Sequence, residues 1–96
     1  MGKYSLVPSG KFKKDIKKYL KKDRELKAIY RVIDILAESG HSGIPPNMKP
    51  HKLSGNYSSF WECHALSDLL IIWEQEDEPI NEIYLVRVGT HSELLG

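Results

Sequence analysis

The sequence predicts an α+β fold: a helix hairpin packed on one face of a mainly antiparallel four-stranded sheet, in the order β-α-α-β-β-β. Three observations carry this expectation. Two stretches in the first half repeat apolar residues every three or four positions, the period of a helix with one buried face. The second half alternates or runs continuously apolar, and it is rich in β-branched and aromatic residues. The links between segments are short, so neighbours in sequence should be antiparallel neighbours in space. At 96 residues the chain suits a single domain, residues 1–96, with one modest core.

Lys3 to Pro8 reads as a short strand closed by its proline. Ser9 is a good N-cap for a helix running to about Lys21, with Phe12, Ile16, Tyr19 and Leu20 as its apolar stripe. Asp23 is expected to cap a second helix to about Ser39. Its stripe is Leu26, Ile29, Tyr30, Ile33, Leu36 and Ala37, and Gly40 ends it in a left-handed conformation. His41 to Pro50 is a loop punctuated by Gly43, Pro45, Pro46 and Pro50. Extended chain begins at Lys52 and Leu53, and Gly55 and Asn56 mark a turn or bulge. Phe60 to Leu66 alternates, with Trp61, Cys63 and Ala65 on one face and Phe60, Glu62, His64 and Leu66 on the other. Ser67 and Asp68 make a hairpin turn, and Leu69 to Trp73 is a central strand. After an acidic turn, Ile83 to Val88 is the last strand. Thr90 and Glu93 have the spacing of a capping box, which sets His91 in one turn of helix. The core expected from these patterns is Ile16, Leu20, Ile29, Ile33, Leu36, Leu70 and Ile72.

Composition narrows the function. No apolar run approaches the roughly 18 residues of a membrane span, and the N-terminus lacks the apolar stretch of a signal peptide, so a cytoplasmic protein with no membrane partner is expected. Gly2 alone is a weak sign of myristoylation. The lone Cys63 excludes an internal disulfide and reads as a small apolar strand residue. Charge is uneven: residues 1–31 hold eleven Lys or Arg against three acids, whereas residues 32–96 hold three against ten. That asymmetry is an electrostatic footprint for a polyanion, although a Lys-rich helix can equally be a solvated face.

The chemistry centres on His51, His64, Asp68 and His91. Brought together on one sheet face, they would form a metal-free acid–base site for cutting RNA, with no cofactor. RNA carries its own nucleophile, the 2′-hydroxyl, so a protein need only remove that proton and protonate the leaving 5′ oxygen. Histidine titrates close to neutral pH and suits both transfers. Arg87 and Lys52 are candidate phosphate-binding cations. A metal reading fits less well, because no His pair has the spacing of a zinc finger or metallopeptidase helix. Glycine-rich phosphate loops and a nucleophile-elbow serine are absent. Each residue also has a plain structural reading. His51 and His41 can be exposed loop residues, Asp68 can close a turn through its side chain, and His91 can simply sit in a helix turn.

Three segments together, HKLSG from His51, FWECHALSDLLIIW from Phe60, and the tail VRVGTHSELLG, resemble the RelE/ParE superfamily of bacterial toxins, and its YafQ branch in particular. The resemblance spans nearly the whole chain and implies a RelE-like fold. It also implies a ribosome-dependent mRNA endonuclease silenced by a cognate antitoxin. The matching site positions are His51, His64, Asp68 and His91, with Arg87 near the phosphate. Departures are Leu95, where an aromatic residue is held to stack on a base, Leu69 in place of a tryptophan, and Trp61 where a basic residue can occur. Lys13, Lys14, Lys17, Lys18, Lys21 and Lys22 are then expected to dock on ribosomal RNA. Two alternatives stay open: a ParE-like toxin that binds DNA gyrase without cutting, and a degenerate toxin that only binds antitoxin.

Overall fold

The computed structural model describes residues 3–55 and 59–95; Gly2, and Asn56 of the expected turn, lie outside them. Strand β1 (Ser5–Pro8) leads into helix α1 (Gly10–Ile16) and a 3₁₀ turn at Lys17–Tyr19. Helix α2 (Asp23–Ser39) follows, then two short 3₁₀ turns at Gly40–Gly43 and Pro46–Met48. The rest is β2 (His51–Lys52), β3 (Trp61–Leu66), β4 (Leu69–Glu76), β5 (Glu82–Gly89) and the short helix α3 (His91–Leu94). The strands form one sheet in the order β1-β5-β4-β3-β2. β1 runs parallel to β5, and the other pairs are antiparallel. The sheet therefore has five strands rather than four. The extra one is β2, whose two residues pair with β3.

Local chemistry explains the helix ends. The Ser9 hydroxyl accepts from the Phe12 N–H at 2.9 Å and starts α1. The α-helix stops at Ile16, earlier than expected, and tightens into the 3₁₀ turn. A 3₁₀ turn has three residues per turn rather than 3.6, so it rotates the following side chains off the α-helical stripe. Tyr19 remains buried, but Leu20, expected in the core, is 54% exposed. Lys22, not Asp23, occupies the cap of α2. Asp23 and Glu25 instead lie in its first turn, where their charge favours the helix dipole. Gly40 ends α2 with φ 67°, and a Cβ there would meet the Tyr4 ring and the Gln75 side chain at 2.9 Å. Both the backbone angle and the space require glycine.

The main core lies between the helices and one sheet face. α2 contributes Ile29, Val32 and Leu36, and α1 contributes Phe12. The sheet contributes Cys63, Ile71, Trp73, Ile83, Leu85 and Val88. Ile16 and Ile33 are only partly buried against it. Leu70 and Ile72 are buried as expected, but strand alternation points them to the opposite face. Two irregularities correct the simple alternation. Register shifts between His64 and Leu66 in β3, so Leu66 packs on the core side rather than beside His64. In β5, Ile72 pairs with Arg87 but Trp73 pairs with Leu85, leaving Val86 as the extra residue. That bulge lets Leu85 and Val88 both reach the core while Arg87 faces the other way. Among the described residues, no helix is long and apolar enough to cross a membrane.

Candidate functional site

Strand register assembles the site on the sheet face opposite the main core. His51 pairs with Glu62, Glu62 with Ile72, and Ile72 with Arg87, forming one rung across four strands. The next rung is His64, Leu70 and Gly89. His91 follows Gly89 by two residues. With strands about 4.8 Å apart, the rung places the His51 and Arg87 backbones about 14 Å from each other. The sheet therefore brings His51, His64 and Arg87 to one face and sets His91 at its end. The groups are spread over a surface rather than gathered in a tight cluster.

His51 is the most constrained histidine. Its Nδ1 lies 2.7 Å from the Lys49 carbonyl oxygen. A carbonyl only accepts, so Nδ1 carries a hydrogen toward it. The loop delivers that carbonyl because Lys49 adopts a left-handed backbone, φ 54°. Nε2 faces Glu62 Oε1 at 3.4 Å. The Glu62 side chain is only 5% exposed, and its Oε2 has no hydrogen-bond partner among the described residues. An imidazolium at His51 would have this carboxylate beside its Nε2. Sequence alternation placed Glu62 on the His64 face but gave it no role. The available signal was an acid in an otherwise apolar strand, two residues before a histidine.

His64 has a similar arrangement: its Nδ1 lies 3.3 Å from the Ser67 carbonyl oxygen, again directing Nε2 outward. It lines a cleft with Arg31, Asn47 and Lys49. Asp68 does not hold an imidazole. Its Oδ1 accepts from the backbone N–H of His91 at 3.1 Å and so anchors the start of α3. The rest of α3 is fixed by the expected capping box: Thr90 Oγ1 accepts from the Glu93 N–H, and Glu93 accepts from the Thr90 N–H. Lys18 adds an ion pair to Glu93 at 3.2 Å. The Thr90 backbone and the Lys18 ammonium hold the Glu93 carboxyl below the usual range. Leu95 follows α3, half-buried, with its N–H bonded to the His91 carbonyl.

Arg87 is gripped by the buried Asp15 of α1 through Nε at 2.6 Å and a second guanidinium nitrogen at 3.1 Å. Lys52 is not brought to the His51 face. It pairs with Trp61, and its ammonium sits 5.8 Å from that ring. His41 stacks on the same Trp61 ring at 4.0 Å. Cys63 is fully buried, and burial pushes its thiol up to about 12, so it is no nucleophile. Lys13, Lys14, Lys17, Lys18, Lys21 and Lys22 are all exposed. Lys18, Lys22 and Arg24 line a second cleft that reaches Asp68 and Thr90. Among the described residues, no three His, Cys, Asp or Glu side chains are gathered as a metal site requires.

A family model for YafQ, a bacterial toxin of type II toxin–antitoxin systems, matches residues 4–96. No curated protein matches the chain. Several solved structures share the fold. YafQ from E. coli BL21(DE3) is 22% identical with a TM-score of 0.84, covering 97% of this chain and 99% of that one. A chain of the E. coli DinJ–YafQ toxin–antitoxin complex is 23% identical with a TM-score of 0.82, covering 98% and 99%. A metal-bound toxin from Helicobacter pylori is 35% identical with a TM-score of 0.77, covering 95% and 98%.

Proposed function

We propose that this chain, which belongs to the YafQ family of bacterial type II toxins, is an endoribonuclease that cuts mRNA on the ribosome by metal-free acid–base chemistry. The observation that carries the reading is the placement of His51 between the Lys49 carbonyl and the buried Glu62 carboxylate. With Nδ1–H committed to the Lys49 carbonyl, Nε2 is the basic atom, and the buried Glu62 steadies the charge it acquires. His51 takes the proton of the 2′-hydroxyl, whose oxygen attacks the adjacent phosphorus in line with the leaving 5′ oxygen. His91 returns a proton to that leaving oxygen. His64 orients the phosphate through Nε2, and Arg87 donates to its non-bridging oxygens as charge develops. Asp68 acts on His91 through the backbone, holding the turn that carries the imidazole. Both proton transfers and the charge stabilisation have protein groups assigned to them. No step in this scheme uses a metal.

Two partners follow from this reading. Lys13, Lys14, Lys17, Lys18, Lys21 and Lys22 dock on ribosomal RNA, giving affinity without sequence choice. A cognate antitoxin silences the toxin, as the DinJ–YafQ complex of a structural relative suggests. The test is cleavage of ribosome-bound mRNA, mapped by primer extension and timed in single turnover. His51→Ala should lose about 10²-fold or more, the usual value of a positioned base. His41→Ala should cut at the wild-type rate. Normal cutting by His51→Ala would remove His51 as the base. If the wild-type protein cuts nothing and instead binds gyrase, the ParE-like reading replaces this one.

A further inference from the structure

We infer that Asp15, on α1 and far from the histidines in sequence, is a positioning residue for cleavage that acts through Arg87. The inference rests on the assignment of Arg87 to the phosphate. It begins at the edge of β5. Among the described residues β1 pairs only with Glu82 to Leu85, so no strand pairs with the edge of β5 beyond them. The chain after β1 covers that edge. The Ser9 N–H bonds the Leu85 carbonyl at 2.9 Å, and its hydroxyl donates to the Val86 carbonyl at 2.8 Å. Asp15 Oδ2 accepts from the buried Val88 N–H at 3.2 Å. A neutral acceptor would suffice for that last bond. Asp15 is instead a carboxylate, only 5% exposed, and burying its charge is costly without a cationic partner. What a carboxylate adds is the two-pronged grip on Arg87, through bonds of 2.6 and 3.1 Å.

That grip fixes the guanidinium plane. The Arg87 side chain remains 28% exposed and borders a groove with Phe60, Ile72 and Leu94 on the site face. Because the pair is formally neutral, Asp15 does not strengthen attraction of the substrate. It preorganises a donor at the place where phosphate charge grows, which acts on the transition state more than on binding. Loss of the carboxylate should therefore lower the chemical rate and leave apparent affinity unchanged or tighter.

The experiment is a double-mutant cycle on single-turnover cleavage of ribosome-bound mRNA, using Asp15→Asn and Arg87→Ala. Asp15→Asn is close to isosteric and keeps an acceptor for the Val88 N–H, so it should fold, and a thermal melt of each protein gives the folded fraction. Asp15→Asn should cut about 10- to 100-fold more slowly per folded molecule, the scale of a misplaced catalytic group. In the Arg87→Ala background the same change should cost less than about twofold. An equal loss in both backgrounds, or no loss in the wild-type background, overturns the role of Asp15. Wild-type cutting by Arg87→Ala is a different failure: it removes Arg87 from the mechanism, and the proposal falls with it while the histidine chemistry stands.

Discussion

Replacing Asp68 separates a positioning role from a proton-transfer role. Asp68 Oδ1 accepts the first backbone N–H of α3, at 3.1 Å, at an exposed site. Removing such an acceptor at a helix start costs about 1 kcal/mol, within a range of about 0.5–2. With tenfold in rate for each 1.36 kcal/mol, Asp68→Ala should slow cleavage by up to about fivefold to thirtyfold. The capping box and the Lys18–Glu93 pair still hold the rest of the turn, which keeps the loss in that range. Asp68→Asn retains an oxygen acceptor and should recover most of the rate. A group that itself moves a proton would behave differently. Its loss costs about 10²–10⁴-fold, and the amide would be as damaging as alanine. Single-turnover cleavage of ribosome-bound mRNA measures both variants. Equal losses above about 100-fold for Asn and Ala would refute the positioning argument.

Three further predictions concern stability, the thiol and pH. Leu36→Ala should cost about 2–5 kcal/mol in denaturant melts, because Leu36 is fully buried. Leu20→Ala, at a position 54% exposed, should stay within about 0.5 kcal/mol. Comparable losses at the two sites would reject the core as described. With its thiol near 12, Cys63 should be about one part in 10⁴ thiolate at pH 8. Iodoacetamide should label it only in denaturant, and rapid labelling of the native protein would contradict its burial. Glu93 has a folded-state value below the ordinary glutamate range, so it stabilises the α3 turn above that range. The contribution is lost as pH falls from about 4.5 through the depressed value, which amide NMR of Thr90 and Glu93 would follow. Loss of the turn at higher pH would count against the carboxylate ties.

Much of this architecture is written in local sequence, because caps and turns act over three or four residues. Ser9, the Ser67–Asp68 turn, Gly40 and the Thr90–Glu93 box all behave as their chemistry implies. The candidate residues could be picked out singly, but their contacts could not. His51, Glu62 and Arg87 share a face only because of register across four strands and a bulge at Val86, and neither leaves a local signature. Asp15 and Arg87 lie 72 residues apart, so nothing near either one announces their pairing. Lys52 looks like a site cation beside His51, yet alternation turns it to Trp61. Leu20 fits a helical stripe, but the 3₁₀ turn before it changes the period. Apart from Lys52, where local alternation itself decides, each of these is a case where a long-range or irregular feature overrode a correct local pattern.

The central claim is that the substrate's own 2′-hydroxyl is the nucleophile and that His51 and His91 exchange its proton for one on the leaving oxygen. The ends of the cut RNA test it most directly. Purified toxin, treated with EDTA and returned to ribosomes with magnesium restored, should leave a 2′,3′-cyclic phosphate, or its hydrolysis product, on one fragment and a 5′-hydroxyl on the other. A 5′-phosphate with a 3′-hydroxyl would mean that water attacked instead, and the mechanism built on this sheet face would be contradicted.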